Sequence, residues 1–345
     1  MNGLTIISII ALFVVTLGLI TSNEFYYDTN NLYEVHEPID IVYTWVDGDD
    51  KNWQEQKNLY KGVPVKDAST ANRFKNRDEI KYSLRSIEMF APWIRNVYII
   101  TYSEQSYPSW LNLSNKKVKI VPHSELFPDS SHLPTFNSQA IECHLCNISG
   151  LSERFLYSND DTMFGRIVTK QDFISKDHKL KYGYGKGVIS NWKNAKYDGL
   201  FFDSWINNSN LLDEMFGVDD RRIETPHQLC IMDKKSMRYI HENFPEEIDN
   251  TSRSRFRGEG NIAPVGLAIF TALGKGDAIR CNISNIVLKL TDSISKTRDQ
   301  MNNVKRDRPK LLCVNDDTKE PSKEFDIMLN DFFEEYFPYK SSFEI

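Results

Sequence analysis

The sequence predicts an α/β protein with a mostly parallel central sheet flanked by helices, behind an N-terminal transmembrane helix. Three observations carry this. Short β-branched runs at 39–46, 97–101 and 118–121 alternate with stretches of helical period, which is the pattern of parallel strands joined by crossover helices. The 345 residues are 40% hydrophobic, enough to fill one large core. Residues 4–20 carry no charge and are rich in Ile, Leu, Val and Phe.

Taken in order, residues 4–20 as a helix would reach about 25 Å, sufficient for a thin bilayer. A secretory signal peptide has the same appearance, so residues 1–22 read as a signal anchor or a signal peptide, with the anchor favoured. The polar, Tyr- and Asn-rich stretch 23–38 reads as a short stalk. The first strand, 39–46, runs into the turn Asp47-Gly48-Asp49-Asp50. Residues 76–90 place Ile80, Leu84 and Ile87 on one helical side, with Asp78 and Glu79 in the first turn and Pro92 as the stop. Residues 138–146 read as a helix and 154–157 as a buried strand. Residues 176–210, rich in Gly, Lys, Asn and Tyr, read as loops. Helices are expected at 234–243 and 262–273, a strand from 309 into Asn315-Asp316-Asp317, and a closing amphipathic helix at 325–337. The whole of 39–345 reads as one continuous domain.

The pair Asp160-Asp161 is the most telling local feature. The apolar run Phe155-Leu156-Tyr157 delivers it into a tight turn closed by Gly165. Adjacent carboxylates at a strand end are tolerated where a cation sits between or beside them, and hard oxygen ligands suit Mg²⁺ or Mn²⁺. A solvated Asx turn is the plainer alternative. Asn315-Asp316 repeats the arrangement at the end of the last strand.

A net charge of −6 gives no basic field, so nucleic acid is excluded as a partner. Five sequons, beginning at Asn112, Asn147, Asn207, Asn250 and Asn282, support passage through the secretory pathway. Five cysteines would allow two disulfides and one free thiol there, with the pairing open. Cys143-His144-Leu145-Cys146 resembles half a zinc site but has no second half at matching spacing.

Ordered blocks then show a family resemblance. Ile39-Asp40-Ile41-Val42-Tyr43-Thr44-Trp45-Val46-Asp47-Gly48 resembles the first conserved region of the Stealth proteins. Arg77-Asp78-Glu79 through Glu88, Leu133-Pro134-Thr135-Phe136-Asn137 through Glu142, and Asn159-Asp160-Asp161 resemble the second. Pro226-His227 through Arg257 resembles the third, and Arg308 through Asp316 with Phe337-Pro338 the fourth.

Stealth proteins are sugar-1-phosphate transferases. The resemblance implies a catalytic domain at 39–345 on a nucleotide-sugar-binding, GT-A/Rossmann-like sheet. It also implies transfer of a sugar 1-phosphate, N-acetylglucosamine 1-phosphate first among them, from a UDP-sugar to a hydroxyl of a glycan or glycoprotein acceptor, with release of UMP. The alternatives are a metal-dependent glycosyltransferase releasing UDP and a non-catalytic glycan-binding relative. By the same resemblance Glu142, Asp161, His227 and Arg257 are the catalytic candidates. His227 is the candidate base, with Glu142 as alternative base or orienting partner, and Arg257 faces the transferred phosphoryl group. Asp160, Asp161 and Asp316 are the candidates for holding Mg²⁺ or Mn²⁺, and Asp47, Gly48 and Asn137 for the donor nucleotide. A Golgi membrane location, single-pass type II with a luminal catalytic domain, is expected, and a homodimer is admitted.

Overall fold

A computed structural model describes residues 33–60, 76–195, 199–318 and 322–345. The chain divides into Met1–Glu34 and Val35–Ile345, and the account below concerns the second unit. The strands are β1 (Asp40–Thr44), β2 (Val97–Thr101), β3 (Val118–Pro122), β4 (Arg154–Asn159), β5 (Thr162–Phe164), β6 (Leu180–Tyr182), β7 (Cys230–Asp233), β8 (Ala278–Arg280), β9 (Asn285–Leu290) and β10 (Leu311–Asp316). The helices are α1 (Lys51–Tyr60), α2 (Glu79–Phe90), α3 (His123–Leu126), α4 (Ser138–Glu142), α5 (Ile189–Ala195), α6 (Leu200–Phe216), α7 (Lys234–Asn243), α8 (Pro245–Arg253), α9 (Pro264–Gly274), α10 (Ile294–Asp307) and α11 (Lys323–Tyr336).

The main sheet has the order β3-β2-β1-β4-β7. Strands β3, β2, β1 and β4 are mutually parallel, with Ile41 opposite Val97 and Thr44 opposite Asn159. Burial on both faces accounts for their continuous apolar sequences. Strand β7 is antiparallel to β4, with Tyr157 opposite Cys230. A second sheet, β5-β10-β9, pairs β10 antiparallel to β5 and parallel to β9.

The expected mostly parallel sheet is therefore corrected to a mixed one. The reason is local: β7 enters from the opposite end of the sheet, and the turn at Asp160-Asp161 hands the chain from the first sheet to the second. The expected transmembrane helix falls on residues whose structure is not described. No helix among the described residues is long and apolar enough to cross a membrane, and residues 4–20 lie outside the described residues.

Other differences have physical causes. The helix expected at 138–146 stops at Glu142 and gives way to a 3-10 turn at Leu145–Asn147. The loops expected at 176–210 contain β6, α5 and most of α6, whose Trp205 and Leu212 are buried despite Asn-rich surroundings. Gly165 lies past the far end of β5 rather than in the Asp160-Asp161 turn, and is required there by packing, since a Cβ would fall 2.4 Å from the Pro309 carbonyl oxygen. All five cysteines are free. His144 and Cys143 face α8 through Ser252 (2.7 Å) and the Ile248 carbonyl (3.8 Å).

The second sheet is held to α2 by α11, where Tyr82 stacks on Phe333 at 4.5 Å. Beside that pair, buried Arg85 donates to Glu344 at 2.9 and 3.0 Å, to Glu334 at 2.9 Å and to the Phe337 carbonyl at 2.9 Å. These bonds fasten the C-terminal segment. Removing one member leaves an uncompensated charge in the interior, so Arg85→Ala is expected to cost about 3 kcal/mol in urea unfolding. A loss below about 1 kcal/mol would mean that the cluster is solvated and contributes little.

Candidate active site

The order of the main sheet reverses beside β1: β2 and β3 extend to one side, β4 and β7 to the other. Loops part at the carboxyl ends of such strands and leave a crevice. From β1 come Asp47 and Gly48. Asp47 Oδ1 accepts from the Asp49 amide at 3.0 Å, and the Gly48 carbonyl accepts from Gln54 Nε2 at 2.7 Å. The segment is an Asx turn at the crevice edge.

From β4 come Tyr157, Asn159 and the two aspartates. The chain leaves one sheet at Asn159 and enters the other at Thr162, so Asp160 and Asp161 occupy the passage between sheets. Antiparallel pairing sets Cys313 of β10 opposite Thr162, which brings its thiol Sγ within 3.5 Å of Asp161 Oδ2. The residues that precede β7 arrive at the carboxyl end of β4 because β7 runs antiparallel to it. His227 consequently lies with its Nε2 at 3.0 Å from Asn159 Nδ2 and its Nδ1 at 3.6 Å from Cys313 Sγ.

Glu142 enters from the end of α4. Tyr157 donates its hydroxyl to Glu142 Oε1 at 3.1 Å, and the same hydroxyl lies 3.2 Å from Asn159 Oδ1 and 3.3 Å from Thr44 Oγ1. A continuous run of contacts thus links Glu142, Tyr157, Asn159, His227, Cys313 and Asp161. Arg257 joins from the loop after α8, donating to Ser138 Oγ at 2.9 Å. Its charge also reaches Glu142. Burial pushes the Glu142 carboxyl up to about 7, against the opposing pull of Arg257 and the Tyr157 hydroxyl.

Asn137 sits beneath this arrangement. Its Oδ1 caps α4 through the Gln139 amide at 3.1 Å, while Nδ2 donates to the Ser254 carbonyl and to Asn261 Oδ1, each at 3.0 Å. Asn261 Oδ1 also accepts from the Gly258 amide at 2.9 Å. The buried amide therefore ties the helix of Glu142 to the loop of Arg257. Asp316 is engaged elsewhere. Its Oδ2 accepts from Arg77 Nε at 3.1 Å, and its Oδ1 from the Thr318 amide and hydroxyl at 2.9 and 2.6 Å.

The carboxylates fit a divalent cation. Asp161 Oδ1 is buried and has no hydrogen-bond partner. Burial, with Asp161 and Glu79 adding to it, holds Asp160 well above the usual carboxylate range. Glu79, at the start of α2, is pushed up to about 7 by burial, with Asp161 contributing. Among the described residues the grouped donor atoms belong to Asp161, His227 and Cys313, all within 4.8 Å of one another. Asp316 is outside that group. Sequence reasoning missed Cys313, Glu79, Tyr157 and Asn159. Cys313 was hidden in the apolar run Leu311-Leu312-Cys313-Val314, and Glu79 looked like an ordinary first-turn acid.

Stealth conserved region 1 matches residues 37–62, conserved region 2 matches 73–182 and conserved region 4 matches 302–345. The chain belongs to the Stealth family. It is 36% identical over 317 residues to the exopolysaccharide phosphotransferase SCO6023 of Streptomyces coelicolor, covering 90% of this chain and 53% of that one. It is 32% identical over 318 residues to the capsular polysaccharide phosphotransferase SacB of Neisseria meningitidis serogroup A, covering 89% and 57%. This Stealth chain spans about half the length of those relatives. Among solved structures, the galactosyltransferase LgtC with donor and acceptor sugar analogues is 12% identical at a TM-score of 0.44, covering 88% of this chain and 97% of that one. A likeness that distant carries no argument. The expected Golgi single-pass type II location is corrected, since these similar relatives are bacterial.

A carboxyl whose pKa is raised on folding favours the protonated native state. That stabilisation is complete below the ordinary value of 4.5 and is lost as pH rises through about 7. In the presence of chelator, stability is expected to decline between those values. Glu79→Gln should flatten the decline by about 3 kcal/mol in pH-dependent denaturation. An equally steep decline in the variant would remove Glu79 as its source.

Proposed function

We propose that residues 39–345 are the catalytic domain of a sugar-1-phosphate transferase. It would take a nucleoside diphosphate sugar, UDP-N-acetylglucosamine being the first choice, and a saccharide hydroxyl as acceptor. The observation that carries the reading is the unbroken run of contacts from Glu142 to Asp161 at the β1/β4 crevice, with Arg257 at one end. Family membership, and relatives named as polysaccharide phosphotransferases, supports this chemistry over others that use the same crevice.

In the proposed reaction the acceptor hydroxyl oxygen attacks the phosphorus nearest the sugar. A new P–O bond forms, the bond to the nucleotide's own phosphate breaks, and the nucleoside monophosphate leaves with that oxygen. The sugar keeps its anomeric bond. Asp161, aided by Asp160, would hold a divalent cation, which when bound offsets charge on the diphosphate. The transition state spreads negative charge over the phosphoryl oxygens, so fixed cationic groups lower its energy most. Arg257 has the planar donor fork for those oxygens, and its bond to Ser138 Oγ orients the guanidinium.

His227 takes the hydroxyl proton. With the Asn159 amide as donor, Nε2 is the accepting nitrogen and the proton resides on Nδ1, facing Cys313. The assignment follows from the hydrogen-bond network. The acceptor hydroxyl would displace the Asn159 amide from Nε2, and the exposed ring leaves room for that approach. The turn at Asp47-Gly48 would border the nucleotide. Asn137 acts as a positioning residue, because its amide is engaged between Ser254, Asn261 and α4.

Incubation with UDP-sugars and either Mg²⁺ or Mn²⁺ is expected to release UMP. Release of UDP would instead mean attack at the anomeric carbon and would overturn phosphoryl transfer. Asp161→Ala and Arg257→Ala are each expected to lower turnover by roughly 100-fold or more with folding intact. His227→Ala should lower turnover by about 10²–10⁴ with donor affinity little changed. A pure loss of donor affinity would remove its role as base.

A further inference from the structure

Cys313 is the member of the cluster that the transfer reaction leaves unused. Its thiol is buried, 3.5 Å from Asp161 Oδ2 and 3.6 Å from His227 Nδ1. Burial and the neighbouring carboxylates hold this thiol well above its usual range, so it is protonated in the free protein. Carboxylate, imidazole and thiol together form a donor set foreign to Mg²⁺, which takes oxygen, but suited to a borderline ion such as Zn²⁺.

The spacing agrees with that chemistry. A tetrahedral centre with Zn–S near 2.3 Å and Zn–N or Zn–O near 2.1 Å separates the sulfur from each neighbour by about 3.6 Å. The two contacts to Cys313 are 3.5 and 3.6 Å. All three donor atoms lie within 4.8 Å of one another, so a shared ion needs only a small closure of the carboxylate toward the imidazole, to about 3.4 Å. The contact to Cys313 is made by Asp161 Oδ2, and the other carboxylate oxygen, Oδ1, is buried without a hydrogen-bond partner. Strand pairing fixes the arrangement, because antiparallel β10 holds Cys313 opposite Thr162, the residue after Asp161.

We propose that Asp161, His227 and Cys313 form a three-ligand tetrahedral site for a zinc-class divalent cation, with the fourth position open. On binding, Cys313 gives its proton to solvent and its sulfur bonds the ion, while the His227 proton shifts from Nδ1 to Nε2, displacing the Asn159 amide, so that Nδ1 can bond it too. An ion held there occupies the imidazole and the carboxylate that the transfer reaction needs, so Zn²⁺ competes with catalysis. The site rests on donor geometry and goes beyond the transferase reading.

Cobalt(II) is the direct probe, titrated into the full chain. One equivalent is expected to give a near-ultraviolet thiolate-to-cobalt charge-transfer band and intense tetrahedral bands in the visible. An equivalent of Zn²⁺ should abolish both, whereas a large excess of Mg²⁺ should not. Cys313→Ser should lose the charge-transfer band, and Cys146→Ser should keep it. His227→Ala should weaken cobalt binding by roughly 100-fold, a second readout if Cys313→Ser fails to fold. Weak octahedral bands only, or a charge-transfer band that survives in Cys313→Ser, would overturn the proposal. Release of UMP by a protein that shows no cobalt–thiolate band would end this inference and leave the transferase reading standing.

Discussion

Asp160 and Asp161 occupy a two-residue passage between strands of different sheets, and the arrangement of the crevice follows from that constraint. The backbone is fixed on both sides by β4 and β5, so the two carboxylates cannot separate along a flexible loop. Burial penalises the ionised form of Asp160, with Asp161 and Glu79 beside it adding to the penalty. A folded chain keeps such a cluster where positive charge arrives from outside. The buried, unpartnered oxygen of Asp161 gives that charge a direction.

Strand direction gathers the remaining groups. If β7 ran parallel to β4, the segment before it would start at the far end of the sheet and His227 would lie away from Asn159. Reversing that one strand brings an exposed imidazole to the crevice. The antiparallel β5–β10 pairing does the same for Cys313. Glu142 and Arg257 are joined by a different device, a buried asparagine that caps one helix and grips the loop after another. Residues far apart in sequence thus reach one crevice through three separate backbone arrangements.

Much of the framework was legible in the sequence. The β-branched runs gave β1, β2 and β3 close to their bounds, and the 3.6-residue spacing of Ile80, Leu84 and Ile87 gave α2. Pairing direction was not legible, because parallel and antiparallel buried strands present the same apolar run. That is why a mostly parallel sheet was expected. Helix α6 was missed because its Asn-rich sequence has weak intrinsic preference and owes its order to burial of Trp205 and Leu212. In the crevice, Glu142, Asp161, His227 and Arg257 were named through resemblance, since their spacing along the chain contains no geometric signal. Asn137 and Asp316 show the converse: both were named as ligand-facing, and the fold engages both in internal hydrogen bonds.

The central claim is that Asp161 marks where a cation and a diphosphate meet. Crystals grown with Mn²⁺ and a non-hydrolysable UDP-sugar would test it through the anomalous signal of manganese. The account predicts one peak within bonding distance of an Asp161 oxygen, with the diphosphate between it and the Arg257 guanidinium. A manganese peak and donor density elsewhere on the protein, with Asp161 contacting neither, would contradict it.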